Sequence, residues 1–189
     1  MSALCSDVVL HAVREWLQVM VLGENLCPFA GPVVAQGRLQ LVHTGAATEE
    51  KLLEALASQL LWLEAHDETE TAVLVHPEVL QKFADYNQFL DLADALLVEM
   101  NLDGTFQLAS FHPEYQFAGT TSQDPENFAN RAPYPLLHVL REDSVAAAVA
   151  GHPDIAGISA RNIAHLEQIG TAELSSRLAR WRPEPTPDV

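Results

Sequence analysis

Apolar positions along the chain follow two spacings, and each spacing predicts one kind of secondary structure. Helical spacing runs from Ser6 to about Gly23 and again from Thr48 to Leu63. A third such stretch begins at Pro77, where a missing backbone N–H is tolerated in a first helical turn, and it continues to Leu97. These patterns predict three long amphipathic helices.

Short apolar runs separate the helical stretches and predict strands. They read RLQLVH at 38–43, TAVLVH at 71–76 and TFQLASFH at 105–112, and Leu136 to Leu140 is a candidate fourth strand. The run at 71–76 is continuous, as in strands that are buried on both faces. Three shorter helices are predicted from Asp143 or Ser144 to Gly151, from Ser159 to Gly170 and from Thr171 to Trp181.

Strands that alternate with helices of this length predict right-handed crossovers and a largely parallel sheet. We therefore predict an α/β fold, with residues 1–181 forming a single-domain sandwich of about four mostly parallel strands and flanking helices. The direction of the last strand stays open, because a loop rather than a full helix leads into it. The prolines within residues 182–189 predict a flexible C-terminal tail.

Charge and cysteine content narrow the expected partners and compartment. The formal net charge of −16 repels phosphate backbones and anionic membranes, so neither nucleic acid nor a membrane is an expected partner. Two cysteines are too few for a disulfide framework and favour a reducing compartment. Asp7, His11 and Arg14 interrupt the first apolar residues, so no signal peptide is expected and the chain is predicted to be cytoplasmic. Self-association is left undetermined.

The segment 111–142, FHPEYQFAGTTSQDPENFANRAPYPLLHVLRE, is the most unusual stretch of the sequence. It lacks regular periodicity, yet it carries aromatic residues together with prolines of fixed φ. A solvated loop needs only polar turn residues, whereas a long connection of this composition is more often functional. We therefore predict that this segment forms much of a functional site.

Four histidines, His43, His76, His112 and His138, fall at or near the ends of predicted strands. Ligands of open parallel sheets bind beyond the carboxyl ends of the strands, where these imidazoles could meet. His76 and His112 could then hold a divalent metal ion, or His112 or His138 could act as a general acid or base. His-Pro after a strand is also ordinary turn chemistry, and no spacing such as His-Glu-x-x-His supports a metal.

Arginine is scarce here, so its placement among apolar residues is informative. Arg131 is predicted to line a pocket wall and to clamp the carboxylate or phosphate of a small anionic molecule. Asn130, Tyr134 and Tyr115 are predicted to lie in the same ligand-binding pocket. Arg141 either joins this pocket or forms a structural salt bridge with a nearby Asp or Glu.

Cys27 has a catalytic and a structural interpretation. Beside His112 or His138 in space, its thiol could form a thiolate–imidazole pair and act as a nucleophile. A free cysteine is also among the most often buried residues and can serve simply as a small hydrophobe. Gly-x-Gly-x-x-Gly and Gly-x-Ser-x-Gly motifs are absent from the sequence, which disfavours a glycine-rich nucleotide loop and a serine elbow.

Several segments together resemble one uncharacterised family. They are NLCPFA (25–30), LVHPE (74–78), FHPEYQFAG (111–119), NRAPYPLLHVLRE (130–142) and RNIAHLEQIG (161–170). The chain is similar to the bacterial domain-of-unknown-function family numbered fourteen-fifteen, from the first helix to Gly170. The resemblance implies family membership and implies no particular activity, cofactor or catalytic residue.

Two classes of function remain open from the sequence. One is a small-molecule enzyme that acts on an anionic substrate through His112, Arg131, His138 and Cys27, with a divalent metal as its possible cofactor. The other is a non-catalytic protein that binds a ligand or partner, in which the same residues hold a rigid loop. Imidazoles that titrate near neutrality and an Arg131 that lacks an internal carboxylate would favour the enzyme. Histidines bonded to loop carbonyls and an internally paired Arg131 would favour the second class.

Overall fold

The computed structural model describes residues 5–182, and it contains a sheet of four strands. The strands are β1 (Leu39–His43), β2 (Thr71–Val75), β3 (Phe106–Phe111) and β4 (Leu136–Arg141). Each lies within or beside a run that the hydrophobic pattern predicts as a strand. Of the predicted tail, residues 183–189 lie outside the part of the chain that the structure describes.

Seven α-helices surround the sheet within residues 5–182: α1 (Ser6–Trp16), α2 (Ala30–Ala35), α3 (Glu49–Glu64), α4 (Phe83–Glu99), α5 (Glu142–Gly151), α6 (Ala156–Ile169) and α7 (Thr171–Arg180). A π-helical segment, Leu17–Gly23, continues α1, and a 3₁₀ turn, Pro125–Ala129, lies in the loop between β3 and β4. Thr48 caps α3 as expected, because its hydroxyl accepts a hydrogen bond from the Lys51 amide at 3.2 Å.

The prediction of a mostly parallel sheet is wrong. The strand order is β1-β2-β4-β3; β1 pairs with β2 in parallel, whereas β4 pairs antiparallel with both β2 and β3. The reason lies in the connection 112–135, which contains only a 3₁₀ turn and no crossover helix. A chain without a crossover helix returns antiparallel to the preceding strand. Strands β1, β2 and β3 still run in one direction, so their carboxyl ends share one edge of the sheet.

Two apolar layers cover the sheet. On one face, Ala72, Leu74, Leu137 and Val139 pack against α3 and α4. On the other, Val73, Val75 and Leu136 pack with residues of α1, α6 and α7. We call these the α3/α4 face and the α1 face.

The helix predicted from Pro77 begins instead at Phe83. Residues 77–82 form a loop in which Leu80 adopts a left-handed conformation with φ of 58°. Buried histidines hold the loop carbonyls, and this tertiary contact overrides the local helical pattern. Within residues 5–182, no helix is both long and apolar enough to span a bilayer.

Candidate functional site

The loop between β3 and β4 is held in place by Arg131. The buried guanidinium donates hydrogen bonds to the carbonyls of Tyr115 and Ser122, each at 3.0 Å, and lies 4.5 Å above the ring of Phe128. Burial lowers the pKa of Arg131, the opposite of the effect of a paired carboxylate. The two donors that would clamp an anionic ligand therefore already hold the backbone of this loop.

Asn130, Tyr115 and Tyr134 also serve the packing of the loop. The Asn130 amide donates to the carbonyl of Ser110 at 3.0 Å, which fastens the loop to β3. The ring of Tyr115 packs against Phe83, and Tyr134 is buried in the core of the α1 face. The hydroxyl of Tyr134 is buried without a hydrogen-bond partner among the described residues.

His76 and His112 are buried and bonded to the loop 77–82. His112 accepts a hydrogen bond from the Glu114 amide at Nδ1 (3.0 Å), so Nε2 carries the proton and donates to the carbonyl of Leu80 (3.1 Å). Nδ1 of His76 lies 3.3 Å from the carbonyl of Val79. Burial lowers the pKa of both imidazoles, that of His76 to about 4.

These hydrogen bonds leave few ring nitrogens free for the predicted metal site. Both ring nitrogens of His112 already have partners, and His76 retains only Nε2, which is buried without one among residues 5–182. In that same range, no group of three or more His, Cys, Asp or Glu side chains is arranged to hold a metal ion. The geometry favours the turn interpretation of these His-Pro pairs, and we do not propose metal binding for them.

Arg141 ends β4 and fastens it to the end of α3. Its guanidinium donates to the carbonyls of Leu63 at 2.6 Å, His66 at 3.2 Å and Thr69 at 3.2 Å. Asp67 is a more distant partner at 3.8 Å, and its side chain is almost fully exposed. The predicted structural role is thus carried mainly by carbonyl oxygens, which are the free acceptors at a helix C-terminus.

A cavity of about 320 Å³ lies on the α1 face of the sheet. Its floor includes Val73, Ala109 and His138, and it extends to Trp16 and Phe111 at one side. Most of the lining side chains are apolar, with few polar groups among them. Small-molecule sites have this character, and their volumes are typically about 300–1,000 Å³.

His138 supplies a precisely oriented polar group to the floor of the cavity. The Thr71 hydroxyl donates to the carbonyl of Val139, so the same oxygen must accept from Nε2 of His138, which lies at 2.7 Å. Nε2 therefore carries the proton, and Nδ1 is left as an acceptor without a partner among the described residues. Burial lowers the pKa of His138 to about 4, which keeps the ring neutral at physiological pH.

The roof of the cavity is formed by two short helices. Ala30, Val33 and Val34 of α2 line it on one side, and Ser144, Val145 and Ala148 of α5 on the other. Neither helix has a fully buried residue, although both are rich in apolar side chains. The space beneath them explains this, because the side chains that face the sheet meet a cavity instead of a packed layer. We call α2 and α5 the roof helices.

The π-helical segment Leu17–Gly23 also borders the cavity. Leu17 and Val21 from this segment line it, next to Trp16 of α1. The π-helix is rare, and short π-helical segments are found frequently at functional sites. The sequence patterns did not predict the π-helical form of this segment, which the structure places at the border of the cavity.

The structure divides the predicted site residues between two places. Cys27, His138 and Arg141 line the cavity. His76, His112 and Tyr115 belong instead to an aromatic cluster with Phe83 and Tyr86. Thr71, Gln107 and Ser144 were missed as cavity residues, because nothing in their local sequence distinguishes them.

Comparisons with known proteins place the chain in a family without supplying a function. The chain matches the family described as Protein of unknown function (DUF1415) over residues 8–176. No curated protein and no solved structure matches it. Because the family match covers most of the 189 residues, this protein belongs to the DUF1415 family.

Proposed function

We propose that this protein binds a small, mainly apolar molecule in the cavity between the α1 face of the sheet and the roof helices. The observation that carries the proposal is the apolar cavity of about 320 Å³ with the neutral imidazole of His138 on its floor. Such a cavity combines apolar area for affinity with one directed polar group for orientation. Binding without catalysis is the function that this geometry supports best.

An enzyme that acts on an anionic substrate through His112 and Arg131 is less well supported. The hydrogen-bonding groups of these residues are directed to the carbonyls of Leu80, Tyr115 and Ser122. An anion that engaged the same Nε and Nη2 donors of Arg131 would displace these bonds, and the loop carbonyls would then lose their partners. The contacts therefore favour a structural role for the two residues.

Catalysis inside the cavity is a second candidate, because Cys27 and His138 both line it. A nucleophilic thiol would react as its thiolate, formed by proton transfer to the imidazole. The low pKa of His138 opposes this transfer, since a ring that resists protonation is a poor proton acceptor. Ligand binding without catalysis and catalysis by cysteine predict different reactivities for the Cys27 thiol.

Alkylation should distinguish Cys27 from Cys5, which is exposed and serves as an internal reference. We expect N-ethylmaleimide to modify Cys5 about tenfold or more faster than Cys27, because Cys5 is exposed whereas the cavity restricts access to Cys27. An apolar ligand such as 1-aminoanthracene should slow the modification of Cys27 and leave Cys5 unaffected. Mass spectrometry of the two peptides over time measures both rates. Faster reaction at Cys27 than at Cys5 would favour the catalytic candidate.

A larger side chain on a roof helix should compete with the ligand for the space in the cavity. Ala148→Leu places a larger side chain into the space, so we expect a gain in unfolding free energy of about 1 kcal/mol and about tenfold weaker binding of 1-aminoanthracene. Ala147→Leu makes the same change at the adjacent, exposed position of α5 and should alter neither quantity. Urea unfolding and fluorescence titration give the two numbers. Equal affinities in both variants would contradict binding in this cavity.

A further inference from the structure

The cavity extends along much of β4. Alternate residues of this strand, from Leu136 through His138 to Leu140, all line it. These five residues span about 13 Å at about 3.3 Å per step, so a molecule of this length can lie along the strand.

The two ends of the cavity differ in polarity. Trp16, Phe111 and Leu136 lie at the end near the carboxyl end of β3. Gln107 and Ser144, which carry neutral amide and hydroxyl groups, lie at the opposite end. A ligand with one apolar and one polar end is complementary to this distribution.

The charged groups of the lining are engaged away from His138. The ionisable residues there are Cys27, Glu70, His138 and Arg141. The Glu70 carboxylate is paired with Arg38 at 2.8 Å, and the Arg141 guanidinium donates hydrogen bonds to carbonyls at the end of α3. His138 is bonded to the neutral Thr71 hydroxyl, so a charged ligand group at this ring would lack a counter-charge. The surroundings of His138 thus favour a neutral ligand group.

Resting on the proposed function, we infer that the ligand is a neutral amphiphile that donates a hydrogen bond from a hydroxyl or amide group to Nδ1 of His138. The Thr71 hydroxyl selects this chemistry, because it holds the ring proton on Nε2 and leaves Nδ1 only as an acceptor. Thr71 is thus a positioning residue for specificity, since it sets what His138 can recognise.

The roof helices supply a way in for such a molecule. The ring of Phe29, directly before α2, contacts the ring of His152, directly after α5, with their centroids 5.5 Å apart. This edge-to-face contact joins the two helices above the cavity. Since neither helix is anchored by a fully buried side chain, separating this pair would open the cavity with little loss of packing.

Three probes that share a ten-carbon chain test the inference, namely decanol, decyl methyl ether and decanoate, which differ in hydrogen-bond donor and charge. Each is titrated into the full-length protein with bound 1-aminoanthracene, and displacement is followed by fluorescence. We expect decanol to bind about tenfold more tightly than the ether, as for one buried hydrogen bond, and decanoate to bind more weakly than either.

Two variants test whether the preference for decanol over the ether depends on the imidazole of His138. His138→Leu should abolish the preference for the alcohol, so that the ratio of the ether and alcohol dissociation constants falls to about one, because the acceptor is lost. Thr71→Val keeps the shape of the side chain and releases the ring proton, so it should reduce the same preference even if the first variant folds poorly. Circular dichroism and urea unfolding establish that each variant is folded.

The outcomes separate this inference from the proposed function. Equal binding of alcohol and ether to wild type, or tightest binding of decanoate, would overturn the neutral donor class while leaving the cavity as a binding site. Binding of 1-aminoanthracene that none of the three probes displaces would overturn the amphiphile in the same way. Failure of 1-aminoanthracene itself to bind would remove the proposed function together with the inference.

Discussion

Replacing Arg131 with leucine should lower the free energy of unfolding by about 3 kcal/mol. The change removes two charged hydrogen bonds, to the carbonyls of Tyr115 and Ser122, and the contact with the ring of Phe128. Hydrogen bonds to charged groups contribute about 1.5–3 kcal/mol each, and relief of the buried cation offsets part of that loss. Urea unfolding of wild type and variant measures the difference.

Two further substitutions test whether the loss of stability comes from the specific contacts of Arg131. Arg14→Leu, the same change at an exposed position of α1, should alter the stability by less than about 0.5 kcal/mol. Arg131→Lys should recover only part of the loss, because an ammonium lacks the planar fork that reaches two carbonyls. An Arg131→Leu protein as stable as wild type, with weaker binding of phosphate or carboxylates, would instead support the anion clamp.

Acidification from pH 7.5 to 5.0 should destabilise the protein through His76 and His138. The folded state holds both imidazoles neutral with a pKa of about 4, whereas they are protonated below about 6.5 in the unfolded chain. Stability is therefore fully present above pH 6.5 and is lost as the pH falls toward 4. Each histidine should account for up to about 2 kcal/mol of loss at pH 5.0.

Comparison with histidine variants isolates this effect from the titration of the many carboxylates. His138→Leu removes one of the two groups, so we expect the loss between pH 7.5 and 5.0 to shrink by up to about 2 kcal/mol. His11→Leu, at an exposed position of α1, should keep the wild-type dependence. An unchanged pH dependence in His138→Leu, from urea unfolding at each pH, would show that the ring is not held neutral in the folded protein.

Local patterns in the sequence were enough to locate most elements. The strand runs at 38–43, 71–76 and 105–112 and the helix that begins after Thr48 were all identified from periodicity and capping. These signals are encoded by neighbours in the sequence, because the positions that share a face recur every two or three to four residues. Helix α2, which contains Pro32, was not predicted.

The segment 111–142 shows what amino-acid composition can and cannot predict. Its aromatic residues, prolines and arginines predict a functional segment, and this stays a prediction. Whether Arg131 faces a ligand or a carbonyl depends on where Tyr115 and Ser122 come to lie, and this is decided by the folded path of the loop. The same residue types in the same order are compatible with both arrangements.

The sequence by itself determined the α/β class, the strand positions, the acidic character and the family. The tertiary structure alone decided the antiparallel direction of β4, the neutral state of His138 and the existence of the cavity. Thr71 and His138 stand 67 positions apart, and their contact exists only because β4 is inserted beside β2. A cavity is a gap in packing between distant segments, so no local pattern can encode it.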